Sequence, residues 1–134
     1  MLFRSRVRVL RAATAAESGE AVSPDGIANQ IEGGLIQSLS WSLKEEVKFD
    51  DTKVLSEDWA SYPILTFSEV PPIDVHVITR PGQPFLGTGE ASQGPTGAAL
   101  ANAMFDATGV RFRRVPFTPE RVDRKSTRLN SSHT

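Results

Sequence analysis

The pattern of hydrophobic and polar positions predicts a strand followed by a long helix in the first third of the chain. Val7 and Val9 alternate with arginines, which is the period of a half-buried strand and predicts a strand over residues 6–13. A turn beginning at Ser23 then leads into a segment in which apolar side chains recur every four residues. This recurrence predicts an amphipathic helix over residues 25–44. Its apolar positions are Ile27, Ile31, Leu35, Leu39 and Leu43.

A second strand and a second helix are predicted further along the chain. Ile73, Val75 and Val77 alternate with polar residues and predict a strand over residues 73–78. A helix is predicted from near Pro95 to Gly109, because proline suits the first helical turn and glycine suits the residue after the last. Its apolar face carries Ala99, Leu100, Ala103, Met104 and Ala107.

Between and after these elements the pattern is weaker. Short strands are predicted at residues 47–49 and 54–55, and another over residues 110–115. Residues 58–69 have no sustained period and are interpreted as an irregular segment anchored in the core by Trp59, Tyr62, Ile64, Leu65 and Phe67. The predicted fold is therefore α+β, with two main helices packed on a small mixed or antiparallel sheet.

Composition excludes several classes of function. The 134 residues carry a net charge of −1 and no cysteine. The charge gives no basic field for nucleic acid, and the lack of thiols excludes disulfides, thiolate metal sites and ligation of an iron–sulfur cluster. No apolar run approaches the ~20 residues needed to cross a bilayer, and the first twenty residues lack the apolar core of a secretory signal.

The candidate chemistry lies in the glycine-rich segment before the second helix. Gly87, Gly89 and Gly94 surround a single carboxylate, Glu90. Unpaired N–H groups at a helix start favour an anion or an oxygen-rich cofactor, and a carboxylate beside them is a candidate base, expected to be partly buried by its apolar neighbours. The alternative is a solvated glutamate at the tip of a loop.

Other positions also allow two interpretations. The Gly33-Gly34 pair inside the first helix indicates either tight packing against another backbone or room for a bound group near Gln30 and Glu32, and Glu32 itself is interpreted as a solvated or helix-capping residue. His76 lacks companions at ligand spacing and is interpreted as a residue on a strand face. Asp50 and Asp51 are interpreted as a surface turn rather than a cation site.

Three blocks in the same order resemble a known family. They are GIANQIEGGLIQSLSWSLKEE, DWASYPILTFSEVP and GTGEASQGPTGAALANAMFDATGVR. They are similar to the C-terminal part of the molybdopterin-binding large subunit of the xanthine dehydrogenase/aldehyde oxidase family, and most of all to its isoquinoline 1-oxidoreductase beta subunits. Ala91 and Ser92 after the glutamate agree with that branch. Because the large subunit is several times longer, we expect residues 1–122 to be a fragment of its cofactor-binding domain.

The resemblance implies a site and a reaction. The family's base beside the molybdenum corresponds to Glu90, and its cofactor contacts correspond to Gln30 and Gly89. It further implies a molybdenum–pterin cofactor, a small 2Fe-2S partner subunit, and hydroxylation of an N-heterocycle or an aldehyde with oxygen from water. The chain alone is not expected to be active. The rival interpretation is a small anion-binding or scaffold module without chemistry. Residues 123–134 are expected to be a non-native tail, because RKSTRLNSSHT resembles translated sequencing adapter.

Overall fold

A computed structural model describes residues 6–123. Strand β1 spans Ala12–Glu17, helix α1 spans Pro24–Leu43, strand β2 spans Ile73–Ile78 and helix α2 spans Gln93–Thr108. A 3-10 helix at Phe67–Glu69 precedes β2. The prediction of two main helices with a small sheet is confirmed. Of the predicted non-native tail, residues 124–134 lie outside the described residues.

The two strands run parallel, with Ala12 opposite Ile73 and Glu17 opposite Ile78. The expected mixed or antiparallel orientation is therefore wrong for this pair. The reason lies in the connection, because a parallel pair requires a crossover and here the crossover contains α1. The first strand also lies later than predicted, since residues 6–11 are outside it. Its alanine-rich sequence has low strand propensity, which concealed it.

Helix α1 begins and ends close to its predicted bounds. The Ser23 hydroxyl oxygen accepts a hydrogen bond from the amide of Gly26 at 3.3 Å, which caps the first turn after Pro24. Ile31, Leu35 and Leu39 are buried along one face, as the four-residue spacing predicts.

Helix α2 starts at Gln93, two residues before the predicted proline, and stops at Thr108. Gly109 follows in the left-handed conformation with φ of +70°, and its amide donates to the carbonyl of Phe105 at 2.7 Å. Leu100 and Met104 are the buried residues of this helix.

The core lies between the two helices and the segment that follows α2. Its buried members are Leu35, Leu39, Leu100, Met104, Val110, Phe112, Phe117 and Val122. The predicted strand over residues 110–115 is not formed; this segment is coil in which Val110 and Phe112 are buried in the core, whereas Val115 is exposed. Phe112 and Phe117 meet edge to face with ring centroids 6.2 Å apart. The amide of Phe117 donates to the carbonyl of Ser42 at 2.7 Å, which fixes the segment on α1.

The region between α1 and β2 is irregular, as expected, but most of its large side chains are not core anchors. Trp59 is 75% exposed and Phe67 is 97% exposed, so these two anchor predictions are wrong, whereas Leu65 packs against the core. The two short predicted strands are reduced to a single antiparallel bridge between Phe49 and Val54. Within residues 6–123, neither helix combines the length and the apolar character that a bilayer crossing requires.

Candidate functional site

The glycine-rich turn, residues 87–92, forms the last part of the connection from β2 to α2, and its main-chain amides have few partners within the described chain. At its start, the amide of Leu86 donates to the carbonyl of Ser18 at 2.8 Å. At its end, the amide of Gln93 donates to the carbonyl of Glu90 at 3.2 Å. Among the described residues, none accepts a hydrogen bond from the amides of residues 87–92. These donors are available for a ligand or for water.

The chain that leads into the turn is held by the loop after β1. Amide-to-carbonyl hydrogen bonds run from Arg80 to Gly19 at 2.8 Å and from Glu20 to Gln83 at 3.2 Å, so the strand pairing continues past the sheet. Gly19 has φ of +78°, and a Cβ built on it would lie 1.9 Å from the carbonyl oxygen of Pro84. Only glycine allows the two backbones to approach this closely.

The turn lies against α1 at Gln30. A Cβ built on Gly89 would be 3.9 Å from Nε2 of Gln30, so these two sequence-predicted residues are neighbours. The Gln30 amide makes no hydrogen bond to any other residue in the described part of the chain. The structure thus brings together residues that are far apart in sequence and leaves the side-chain amide open to a further partner.

The two glycines of the pair in α1 have different surroundings. A Cβ built on Gly34 would lie 2.5 Å from Oγ of Ser92, so Gly34 provides tight packing against the end of the turn. A Cβ built on Gly33 meets nothing within 4 Å. Gly33 therefore provides open space on the helix, three residues after Gln30 and on the same face.

Serine hydroxyl groups join the turn and α2 to α1. Oγ of Ser92 donates to the carbonyl of Ile31 at 2.8 Å, and Oγ of Ser38 donates to the carbonyl of Gln93 at 2.8 Å. The side-chain amide of Gln93 donates to Oε1 of Gln37, also at 2.8 Å. Sequence reasoning missed both serines as determinants of the site. The available signal was the spacing of four between Gly34, Ser38 and Ser42, which places small residues on one face of α1.

The Glu90 side chain is exposed. The expectation that its apolar neighbours partly bury it is wrong for this chain, since Phe85 is 72% and Leu86 is 69% exposed. Glu90 nevertheless follows Gly89 directly, so its backbone lies in the part of the turn that approaches α1.

The remaining candidates have local roles. His76 is exposed on β2, and residues 6–123 contain no group of three His, Cys, Asp or Glu side chains suited to a metal. The Asp50 carboxylate accepts from the amides of Thr52 and Lys53 and from the Thr52 hydroxyl, and these hydrogen bonds lower its pKa. It stabilises a turn, as interpreted from the sequence.

Tyr62, an aromatic residue in the irregular segment, forms a hydrogen bond with a residue that follows α1. Its hydroxyl donates to Oε2 of Glu45 at 2.8 Å. This hydrogen bond, followed by burial and the negative charge of Glu45, raises the pKa of the tyrosine.

The residues around the turn suit a large, oxygen- and nitrogen-rich group such as a pterin. The donor set comprises a side-chain amide and a row of main-chain amides. Cβ atoms added at Gly33, Gly87 or Gly94 would meet nothing within 4 Å, so the backbone can be approached closely at these positions. This combination suits binding through hydrogen bonds and through close contact with the backbone.

Comparison with known proteins identifies the class. The family model of the molybdopterin cofactor-binding domain matches residues 4–71, which is half of the chain. The chain therefore belongs to the molybdopterin cofactor-binding domain family, and the resemblance to the xanthine dehydrogenase family is confirmed.

Individual relatives extend the match beyond that segment. A nicotinate dehydrogenase subunit of Pseudomonas putida is 49% identical over 116 residues, covering 87% of this chain and 10% of its own length. A match of that length includes both Gln30 and Glu90. The isoquinoline 1-oxidoreductase beta subunit of Brevundimonas diminuta is 33% identical, covering 83% of this chain and 14% of its own length. The identity is thus higher to the nicotinate enzyme than to the branch singled out from the sequence.

A solved structure of another oxidoreductase contains the same fold. The crystal structure of quinoline 2-oxidoreductase from Pseudomonas putida 86 superposes with a TM-score of 0.73 at 28% identity, covering 86% of this chain and 16% of that protein. The chain spans only about a tenth to a sixth of the length of these three proteins. The fold of this chain thus matches a small part of a much larger oxidoreductase.

Proposed function

We propose that this chain is part of the active-site domain of a molybdenum hydroxylase large subunit, with Glu90 as general base and with Gln30 and Gly89 contacting the cofactor. The observation that carries the proposal is the approach of Gly89 to the Gln30 amide, 3.9 Å from a Cβ position to Nε2. Two segments separated along the chain converge there beside a row of donors and one carboxylate. Family membership supplies the ligand class.

When bound, the molybdenum–pterin cofactor supplies the two-electron oxidation of an N-heterocycle or an aldehyde, with water as the oxygen source. The chain's own residues have simpler tasks. The Glu90 carboxylate accepts the proton that the oxygen nucleophile releases. The Gln30 amide offers the two N–H donors of its NH2 group and one carbonyl acceptor to the cofactor, and Gly89 lets that group approach the backbone.

The proposed assembly follows from the family resemblance, which implies that iron–sulfur clusters on a separate 2Fe-2S subunit carry the electrons away. The 134 residues contain no cysteine and do not themselves ligate a cluster. The substrate class is inferred from the names of relatives that act on nicotinate, isoquinoline and quinoline. The chain by itself is proposed to be inactive, since it corresponds to a small share of each relative.

The proposal is tested in a full-length holoenzyme, namely the Pseudomonas putida nicotinate dehydrogenase in which the matching 116 residues are replaced by those of this chain. Glu90→Gln should lower turnover by about 10²–10⁴-fold, because the base is lost, while molybdenum content stays near that of the parent. Steady-state kinetics and metal analysis measure both quantities.

Glu32→Gln is the matched control, because Glu32 is an exposed carboxylate on α1 outside the turn. It should leave turnover unchanged. Normal turnover of the Glu90→Gln enzyme would remove Glu90 from the reaction and favour the rival interpretation of the turn as a binding element without chemistry.

A further inference from the structure

We propose that Ser92 is a positioning residue, which together with Gly34 fixes the glycine-rich turn on α1 and thereby places Glu90 relative to Gln30. This inference rests on the proposed function, since it assigns the means by which the base and the cofactor contact are held in one arrangement. Ser92 lies two residues after Glu90, and its hydrogen-bond acceptor, the carbonyl of Ile31, belongs to the residue after Gln30.

The contact is buried and closely fitted. Ser92 is 7% exposed, and its hydroxyl donates to the Ile31 carbonyl at 2.8 Å. Gly34 lies beneath it, because a Cβ at that position would be 2.5 Å from the serine oxygen. Contacts under about 3 Å are not tolerated by a side-chain carbon, so the hydroxyl can be seated here only while residue 34 is glycine.

Ser38 binds Gln93, the residue after Ser92, and the two residues form the junction between the turn and α2. Its hydroxyl, which is fully buried, donates to the carbonyl of Gln93 at 2.8 Å. The start of α2 is thus fastened to α1 at two successive residues. The amide of Gln93 in turn donates to the carbonyl of Glu90, so displacement of the junction displaces the backbone of the base.

The turn has few other restraints. Within the described chain, residues 87–91 make no further hydrogen bond to another residue besides the one that the Glu90 carbonyl accepts. Their N-terminal side is held by the contact between the Leu86 amide and the Ser18 carbonyl, at the opposite end of the turn from Ser92. Loss of the Ser92 contact therefore frees the side of the turn nearer to Glu90. Because catalysis depends on geometry at the ångström scale, such a shift should slow the chemical step even when the cofactor stays bound.

The test uses the chimeric holoenzyme described above, with Ser92→Ala, Gly34→Ala and the double variant. Molybdenum content, kcat per bound molybdenum, KM, and hydrogen exchange of peptides covering residues 86–92 are measured for each. Ser40→Ala is the matched control, because the Ser40 hydroxyl is also buried on α1 but accepts from the amide of Leu65, away from the turn.

Ser92→Ala is expected to lower kcat per molybdenum by about tenfold, with little change in KM and faster exchange of the turn amides. Gly34→Ala should be worse, because the added carbon collides with the serine hydroxyl. The double variant should recover part of that loss, since the nearest remaining atoms at residues 92 and 93 would be at 3.8 and 3.5 Å, which are ordinary contacts.

Three results would overturn the inference. The first is an unchanged kcat per molybdenum in Ser92→Ala, and the second is a loss of total activity that only follows a loss of molybdenum, as a merely structural role predicts. The third is a double variant that is less active than Gly34→Ala. Failure of the proposed function is distinguished by the Glu90→Gln enzyme. If that enzyme turned over normally while Ser92→Ala still accelerated exchange at residues 86–92, the Ser92 contact would hold the turn on α1 but would not position a general base.

Discussion

At the scale of single residues, two glycines with positive φ lie in the segments that precede the glycine-rich turn. Gly19 and Gly82 both have φ between +75° and +80°. They differ in their surroundings, because Gly19 packs on the carbonyl of Pro84 whereas a Cβ at Gly82 would meet nothing within 4 Å. The two positions separate the effect of backbone conformation from the effect of close packing.

Gly19→Ala should destabilise the chain strongly, because it combines left-handed strain with a Cβ only 1.9 Å from the carbonyl oxygen of Pro84, which is backbone and cannot rotate away. Gly82→Ala should lower the free energy of unfolding by only about 1–2 kcal/mol, the cost of the left-handed conformation alone. Urea denaturation of the two variants measures the difference. Equal losses would show that the contact with Pro84 contributes nothing.

At the scale of elements, small residues allow α1 and α2 to approach closely. Gly34 contacts the residues that start α2, and a Cβ built on Gly97 would lie 3.5 Å from Oγ of Ser42. The Ser38 hydroxyl on α1 and the Ser92 hydroxyl before α2 each donate to a carbonyl of the opposite segment. The helix pair is therefore held by polar contacts as well as by the apolar core.

The adjacent glycines Gly33 and Gly34 of α1 should respond in opposite directions to the same substitution. Gly33→Ala should raise the free energy of unfolding by up to about 1 kcal/mol, because alanine has the higher helix propensity and nothing opposes its side chain. Gly34→Ala has the same gain in propensity but should lower stability overall, owing to the overlap with Ser92. Chemical denaturation of both variants is the measurement, and shifts of the same sign would contradict the packing described for Gly34.

At the scale of the whole molecule, much apolar surface remains exposed. Phe67, Trp59 and Phe49 are each at least 74% exposed, although nothing in their sequence surroundings marks them as surface residues. Contiguous apolar patches mark contact surfaces, whereas singly exposed hydrophobic side chains are common. In the proposed full-length subunit, of which this chain would be a small share, the remaining residues would pack against part of this surface.

Glu69 joins distant parts of the described chain. Its carboxylate contacts the ammonium group of Lys44 at 2.5 Å, the guanidinium of Arg6 at 2.6 Å, and both the amide and the hydroxyl of Thr66. The hydrogen bond from Lys44, followed by those from Thr66, lowers the pKa of this carboxyl to about 2 from an ordinary value of 4.5. A lowered pKa means that the folded state stabilises the ionised form.

The resulting stability should be present in full above about pH 4.5 and should disappear as the pH falls towards 2. Glu69→Gln should remove on the order of 2 kcal/mol at neutral pH, allowing for partial screening by solvent, and the difference from the parent should vanish at pH 2. Denaturation at a series of pH values checks this. Asp74→Asn, in an exposed pair with Arg11, is the control and should have a small effect. A pH-independent difference would contradict the role of Glu69.

The sequence by itself determined the elements whose signals are local. The four-residue spacing and the turn at Ser23 defined α1, Gly109 defined the end of α2, and the alternation of Ile73, Val75 and Val77 defined β2. The three sequence blocks quoted above also identified the family, because a family motif is a run of residues that can be recognised without knowing the fold.

Only the tertiary structure decided the features that depend on distant neighbours. The parallel pairing of an alanine-rich strand, the different surroundings of Gly33 and Gly34, and the Ser92 hydroxyl on the Ile31 carbonyl all depend on residues far away in the chain. The exposure of Glu90, Trp59 and Phe67 depends on which neighbours are present. Periodicity records which side of an element is apolar, but burial and hydrogen bonding are set by what packs against that side.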